Sequence, residues 1–546
     1  MPARPNIILI LADDMGYSDI GCYGGDIDTP NLDKLASNGV RLTQFYNTAK
    51  CSPSRASLLT GLHPHQVGMG ILASPDNMSR NMPEGYTGDL SRKCITIAEL
   101  LKEQGYGTYL SGKWHLANDF LHPNENWPMA RGFDHHYGNI NGSTSYFYPG
   151  AMFRDEVSVN DEAKDDPDFY YTDKISDNAC EYIKQHSREK PDEPFFLYVA
   201  YTCPHWPLHA RDVDIKKYKG RFDEGYDVLR EKRVKKLREL GILEEKWQLS
   251  ERYIMVEPWD EVEEKEWFLR RMEVYAAQID NMDQGIGRIV KTLEDEGKLE
   301  NTLIIFLSDN GASKEEINTR TPYSRYKREG SREFTRDGKP IPHGNRPEMM
   351  PGGEETFMSY GVGWANLSNV PFRLFKNWTH EGGIATPFIV HWPATIKDEG
   401  GIRHQFGQLT DMMATIIDIT SAEYPKVHDG HEIPALEGKS LMPIILENKP
   451  NGKDYMFFEH HGNAAVREGK WKLVTFWPGP WELYDMEADR SELNNLSSEH
   501  PERVESMRKA YEDWANRCNV LPREEVLKLR GKKVKKAKKR AKKEEE

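Results

Sequence analysis

The sequence predicts an α/β protein: a large mixed, mostly parallel sheet sandwiched by helices, plus a smaller C-terminal domain with a short antiparallel sheet and a helix. Three observations lead there. Short, continuous apolar runs recur along the chain, each ending in a polar cluster. Helical patterns lie between them, the alternation that builds a layered sheet. From about Asp454 the texture changes to short alternating runs.

The first strand is Ile7–Ala12, rich in β-branched residues and ending in Asp13-Asp14, as a strand buried on both faces reads. A helical pattern covers Asn31–Asn38. The pentapeptide Cys51-Ser52-Pro53-Ser54-Arg55 runs into Ala56–Gly61, predicted as a helix with its positive end aimed back at the cysteine. After a helix over Ile97–Gln104, Thr108–Ser111 is strand-like and leads into Gly112-Lys113-Trp114-His115. A helix over Asp173–Gln185 precedes the run Pro194–Ala200, which continues into Cys203-Pro204-His205. Residues 212–270 are rich in Lys, Arg and Glu and are predicted as a solvated helical insertion, with a lid or subunit contact as the alternative. A helix over Met272–Glu294 then leads to Leu303–Leu307, ending in Ser308-Asp309-Asn310-Gly311. Residues 312–365 show little periodicity and are predicted as a long ordered loop. Phe375–Gly383 carries Lys376 and precedes a strand at Pro387–Pro393, followed by a helix over Leu409–Ile419. The alternating runs 455–460, 464–467, 470–474 and 481–485 and a helix over Pro501–Arg517 complete the second domain. The predicted division is a main domain over 1–450, a second over 451–529 and a Lys-rich tail over 530–546, disordered or a fraying helix.

Composition narrows the function. With 546 residues, 38% hydrophobic and 29% charged, the chain reads as a soluble globular protein with a large core. A net charge of −14 argues against nucleic-acid or anionic-membrane partners, so attraction of an anionic substrate has to be local. The six cysteines (22, 51, 94, 180, 203, 518) follow no framework or zinc spacing and read as small buried hydrophobes, Cys51 excepted. No apolar run reaches transmembrane length. The N-terminus enters a strand with no room for a signal peptide, which places the chain as written in the cytoplasm, or in the periplasm or outside if an export signal was removed.

The polar clusters carry the chemistry. Cys51 is nucleophilic and oxidisable, with Pro53 fixing the backbone and Arg55 supplying a permanent cation. Asp13-Asp14 and Asp309-Asn310 are oxygen-rich pairs at two strand ends. Each alone suits a cap or turn; together they suit a hard cation such as Ca²⁺ or Mg²⁺, calcium fitting a set of three carboxylates better. Lys113 with His115, His205 and Lys376 lie on loops at three further strand ends. Ligands of such sheets bind beyond those ends, and an arrangement of metal and fixed cations there suits a sulfate-like dianion.

In these stretches the chain resembles a type I sulfatase of the alkaline-phosphatase superfamily, and bacterial arylsulfatases in particular, from about residue 5 to 520. Cys51–Gly61 matches the C-x-P-x-R signature in which the cysteine becomes formylglycine. The resemblance implies hydrolysis of a sulfate ester on one calcium ion held by Asp13, Asp14, Asp309, Asn310 and the residue made from Cys51. It implies that Arg55 supports the formylglycine, that Lys113 and Lys376 clamp sulfate oxygens, that His205 and Lys376 lie near the leaving oxygen, and that His115 restores the aldehyde. The implied nucleophile is a hydroxyl of the hydrated aldehyde, whose second hydroxyl lets sulfate be expelled. Implied partners are a sulfated small molecule or sulfated sugar and a formylglycine-generating or anaerobic sulfatase-maturating enzyme. Loops 63–70, 137–148 and 312–365 are candidates to read the alcohol; Tyr146, Phe147 and Tyr148 either stack on a ring or pack the loop. A phosphonate or phosphodiester hydrolase of the same superfamily, a non-catalytic calcium-dependent binder of sulfated glycans and a plain cysteine hydrolase remain as alternatives.

Overall fold

The computed structural model describes residues 4–319 and 334–545; part of the predicted 312–365 loop, residues 320–333, lies outside the described residues. The main sheet has ten strands in the order β10-β2-β9-β8-β1-β7-β3-β4-β5-β6. They are β1 (Asn6–Asp13), β2 (Val40–Tyr46), β3 (Gly107–Gly112), β4 (His135–Asn139), β5 (Met152–Arg154), β6 (Val157–Ser158), β7 (Phe195–Pro204), β8 (Thr302–Ser308), β9 (Ala385–His391) and β10 (Gly401–Gln408). The sheet is mixed. β8, β1, β7 and β3 run parallel at its centre, whereas β9 is antiparallel to both of its neighbours.

Every residue of β1, β7 and β8 is buried, which explains their unbroken apolar runs. One face is covered by α1 (Pro30–Ser37), α4 (Tyr171–Glu189) and α7 (Lys265–Asp295); the other by α2 (Cys51–Thr60), α3 (Ile97–Glu103) and α10 (Asp411–Thr420). Each face has its own apolar core: Ile8 and Ile10 point into one, Ile7, Leu9 and Leu11 into the other.

The 212–270 segment departs from the predicted solvated insertion. It contains α5 (Asp212–Lys216) and α6 (Gly225–Glu239), and α6 packs onto the sheet domain. Arg233 is fully buried and pairs with Asp19 at 3.1 Å and Asp26 at 2.8 Å, while Tyr226, Leu229 and Leu237 enter the core. A cation-rich helix can be buried this way because arginine stems are apolar and carboxylates meet the heads. Beyond 317, residues 334–361 are irregular up to α8 (Val362–Ser368), and the short α9 (Glu381–Ile384) enters β9.

A two-residue pair, β11 (Val427–His428) and β12 (His431–Glu432), and α11 (Met442–Glu447) lead to the second domain. Its antiparallel sheet is β13 (Tyr455–His460), β14 (Asn463–Glu468), β15 (Trp471–Thr475) and β16 (Trp481–Asp485), packed on α12 (Pro501–Arg517). α13 (Arg523–Leu529) follows, and the Lys-rich tail forms α14 (Val534–Glu545). A buried ionic network joins the domains. Lys472 meets Glu381 at 2.9 Å and Glu492 at 2.7 Å, Arg490 meets Glu381 at 3.2 Å, and Tyr46 donates to Glu381 at 3.0 Å. All six cysteines are buried and unpaired. Among the described residues no helix is long and apolar enough to cross a membrane.

Candidate active site

The strand order creates the site. β1 and β8 are parallel neighbours in register Ala12 to Ser308, so Asp13-Asp14 and Asp309-Asn310 leave the sheet side by side. Asp13 is level with Pro204 of β7, which brings His205 alongside. Next, β3 pairs Gly112 with Ala200, and Lys113 N–H donates to the Ala200 carbonyl at 2.8 Å. Four adjacent parallel strands therefore deliver Asn310, Asp14, His205 and Lys113 to one edge.

Cys51 is the first residue of α2, 2% exposed, so the free N–H groups of that turn lie at the thiol. One turn on, Arg55 is fully buried. It donates to Asp309 Oδ2 at 2.9 Å and to the Lys113 carbonyl at 3.1 Å, and its Nη2 lies 3.4 Å from Asp13 Oδ2. Lys113 Nζ donates to Asp13 Oδ2 at 2.5 Å and Lys376 Nζ to Asp14 Oδ1 at 2.5 Å. Asn310 Nδ2 also donates to Asp14 Oδ1, at 2.6 Å. His205 Nε2 lies 3.5 Å from Asp14 Oδ2, and its Nδ1 lies 2.7 Å from the Trp206 carbonyl, which fixes the ring.

His115 N–H donates to the Ile140 carbonyl, and its ring packs against Gly142, where a Cβ would sit 2.6 Å from Cε1. Only glycine leaves that space for the imidazole. Asp14 and His115 both hold positive φ, +66° and +56°, a conformation that non-glycine residues adopt at strained sites.

The electrostatics match the geometry. Burial alone would raise Asp13, but Lys113, His205, Arg55 and Lys376 hold it well below the usual carboxylate range. Burial, with Asp13 beside it, pushes Asp309 above the usual carboxylate range. Burial would lower Lys376, but Asp14, Cys51, Glu315 and Asp13 together hold it well above an ordinary lysine. Burial and the charge of Lys113 push His115 well below an ordinary imidazole. Burial pushes the Cys51 thiol up to about 12, against the pull of Lys376 and Lys113. A thiol held that way has almost no thiolate at neutral pH, which disfavours an ordinary cysteine nucleophile.

The donor set fits a hard cation. Asp13 Oδ1, Asp14 Oδ2 and Asn310 Oδ1 are buried with no hydrogen-bond partner among the described residues. Ligand atoms of Asp13, Asp14, Cys51 and His205 lie within 4.8 Å of one another. Buried, unpaired carboxylate and amide oxygens are what calcium coordinates.

The structure brings the residues singled out by sequence to one edge of the sheet, with both oxygens of Asp309 already accepting, Oδ1 from Asp14 N–H at 3.2 Å and Oδ2 from Arg55. Others are recognisable only in the structure. Glu315 sits on the loop after Asn310, accepts from Trp206 Nε1 at 2.8 Å and faces Lys50 at 3.5 Å. Lys50, Lys376 and His205 hold its carboxyl low against its burial. Tyr146 packs the loop: it is buried, with its hydroxyl 2.8 Å from the carbonyls of Thr202 and His205, supporting the His205 turn. His65, in the candidate loop 63–70, is buried against Glu459 of the second domain at 2.7 Å. A lone Glu or Tyr in a polar loop carries no sequence signal of such partners; the position of Glu315 shortly after Asp309-Asn310 is the one hint available.

A fold whose parallel strands converge buried carboxylate and amide oxygens, a cysteine at a helix N-terminus and fixed lysines defines a sulfuric ester hydrolase of the alkaline-phosphatase superfamily. The comparisons agree. The Sulfatase family matches residues 5–422, and the C-terminal region of N-sulphoglucosamine sulphohydrolase matches residues 372–515. An uncharacterized sulfatase of Schizosaccharomyces pombe is 33% identical over 525 residues, covering 91% of each chain. The arylsulfatase of Klebsiella aerogenes is 34% identical over 452 residues, 81% of this chain and 90% of the relative. Among solved structures, Ps i-CgsB in complex with k-i-k-neocarrahexaose has a TM-score of 0.66 at 25% identity, covering 94% of this chain and 93% of that one. The chain belongs to the sulfatase family and is a type I sulfatase.

Proposed function

We propose that the protein hydrolyses a sulfate ester, R–O–SO3⁻ to R–OH and sulfate, with formylglycine made from Cys51 as the nucleophilic residue and one calcium ion held by Asp13, Asp14, Asp309, Asn310 and position 51. The observation that carries this reading is the set of buried, unpartnered oxygens on Asp13, Asp14 and Asn310 beside a cysteine at a helix N-terminus.

Bound calcium would neutralise sulfate charge and acidify the hydroxyl at position 51. Arg55 holds Asp13 and Asp309 in place and puts a permanent charge next to position 51. Lys113 and Lys376, pinned by Asp13 and Asp14, present ammonium groups to sulfate oxygens with little reorganisation. His205 Nε2 hands a proton to the leaving oxygen, and His115, kept neutral by its surroundings, takes the proton at position 51 that releases sulfate. A formylglycine-generating or anaerobic sulfatase-maturating enzyme is the partner this requires.

The sugar complex of Ps i-CgsB supports an ester carried on a carbohydrate, and the arylsulfatase relatives support small aryl sulfates. The test is sulfate release from an aryl sulfate beside cleavage of an aryl phosphodiester, with wild-type and Cys51→Ala protein. Faster sulfate release that is lost in the variant supports the proposal. Faster phosphodiester cleavage would move the reading to the phosphodiesterase alternative, and an unimpaired variant would end it.

A further inference from the structure

Lys50 and the tip of the β13–β14 hairpin lie beside the segments that carry Cys51 and Lys376. Resting on the sulfatase reading, we propose that Lys50, His460, His461 and Arg523 form a second oxyanion subsite there, which takes a further sulfate or carboxylate group on a sugar substrate.

Placement comes from a chain of hydrogen bonds. Asn463, at the start of β14, donates through Nδ2 to the Asn377 carbonyl at 2.7 Å, and Asn377 N–H donates to the Ala49 carbonyl at 2.9 Å. The hairpin tip therefore lies against both the turn that carries Lys376 and the segment that enters Cys51. Lys50 is buried there, with Glu315 at 3.5 Å linking it to Trp206 beside His205.

The hairpin itself is unusual. His460 pairs with Asn463, leaving His461 and Gly462 as a two-residue turn with φ of +57° and +89°. Such turns favour Asn-Gly, so a histidine at the first position costs backbone energy that its ring must offset elsewhere. The rings of His460 and His461 stack at 4.0 Å. His460 is 1% exposed, and its Nε2 has no hydrogen-bond partner among the described residues. Arg523 lies directly behind the turn, its Cβ within 2.8 Å of where a Cβ on Gly462 would be, and its Nε is buried and unpartnered among the described residues.

The carboxylates nearby are engaged. Glu459 is held by His65 at 2.7 Å and accepts from Gly462 N–H at 2.6 Å; Glu524 accepts from Trp477 Nε1 at 3.3 Å and pairs with Lys538 at 3.0 Å. Arg523, by contrast, makes no ion pair among the described residues, which leaves one unpaired guanidinium beside the two imidazoles. Burial, with Arg523 and Lys50 adding to it, holds both imidazoles well below their usual pKa. An arriving sulfate or carboxylate would meet His460 Nε2 and Arg523 Nε without displacing an existing bond, and would share Lys50 with Glu315.

The test compares kcat/KM for three sugar esters on the same ring: one monosulfated and otherwise neutral, one disulfated, and one sulfated hexuronate. His461→Asn keeps a residue suited to the turn and Arg523→Gln keeps the length of the side chain; thermal melting confirms that each variant folds. Wild-type protein is expected to favour at least one dianionic ester, and each variant to lower that dianion-to-monoanion ratio by about tenfold. The preferred ester identifies the second group as sulfate or carboxylate. A wild-type protein with no preference, or variants with an unchanged ratio, would overturn the subsite while leaving sulfatase activity standing. Failure to hydrolyse any sulfate ester would instead overturn the sulfatase reading, and the subsite with it.

Discussion

Arg55 and Asp309 lie 254 positions apart in sequence and 2.9 Å apart in the fold, both with fully buried side chains. The same guanidinium reaches Asp13, so a single side chain on the cysteine-bearing helix ties together carboxylates from two strands. Arg55→Ala would leave those carboxylates facing one another without their cation. Urea unfolding is expected to show a loss of about 3–5 kcal/mol. Arg55→Lys keeps a charge but cannot bridge both groups, and kcat is expected to fall by about a hundredfold. A lysine variant of normal activity would show that bridging is unnecessary.

Removal of calcium should act on the same carboxylates. Treatment with a calcium chelator is expected to lower kcat by at least about a hundredfold and to lower the melting temperature, because an ion bound only by the folded state stabilises it. Added calcium should restore both. Magnesium should restore less, since it demands a smaller and more regular shell. Full activity in thoroughly chelated protein would contradict the metal assignment.

The buried network around Glu381 ties the second domain to the segment that follows Lys376. Glu381 receives Lys472, Arg490 and Tyr46, and it stands five residues beyond Lys376. Glu381→Gln is expected to destabilise by about 3 kcal/mol, because buried Arg490 loses its carboxylate and Lys472 keeps only Glu492. Replacing Glu381 and Lys472 together with methionine should recover part of that loss. The check is urea unfolding of both variants; a cost under about 1 kcal/mol for the single change would rule out the network as a clamp.

Acid sensitivity can be tested at a point remote from the metal. Glu99 caps α3 through Thr96 N–H and pairs with Arg131 at 3.0 Å. Burial would raise its pKa, but His428 and Arg131 lower it to about 2. A carboxyl depressed on folding contributes stability that is present above its unfolded value near 4.5 and is lost as pH falls toward 2. The contribution is about 3 kcal/mol. Glu99→Gln should remove that acid-side slope from a stability-versus-pH curve, and an unchanged slope would refute the assignment.

Much of this was legible in the sequence because parallel strands expose their chemistry at one end. Asp13-Asp14, His205 and Asp309-Asn310 each follow an apolar run, and the rule that ligands sit at strand ends gathers them without knowledge of strand order. The alternating runs after Asp454 likewise announced the small antiparallel sheet. Partner choice was not legible. Periodicity marks Arg233 as helical and charged, which led to a solvated insertion, yet Asp19 and Asp26 from a distant loop make its burial possible. Nor does any local pattern place the His460–His461 turn beside Lys50, since the contact passes through Asn463 and Asn377. Glu315 was hidden for the same reason: its role lies in what it faces.

The central claim is that position 51 works as formylglycine and not as cysteine. Mass spectrometry of the peptide containing residue 51 tests it most directly, read against specific activity in preparations made with and without a maturating enzyme. Conversion turns the thiol-bearing methylene into an aldehyde, so the peptide loses one sulfur and two hydrogens and gains one oxygen. The expected result is sulfate-ester hydrolysis in proportion to the converted fraction, extrapolating to no activity at zero conversion. Full activity in a preparation whose Cys51 is wholly unmodified would contradict it.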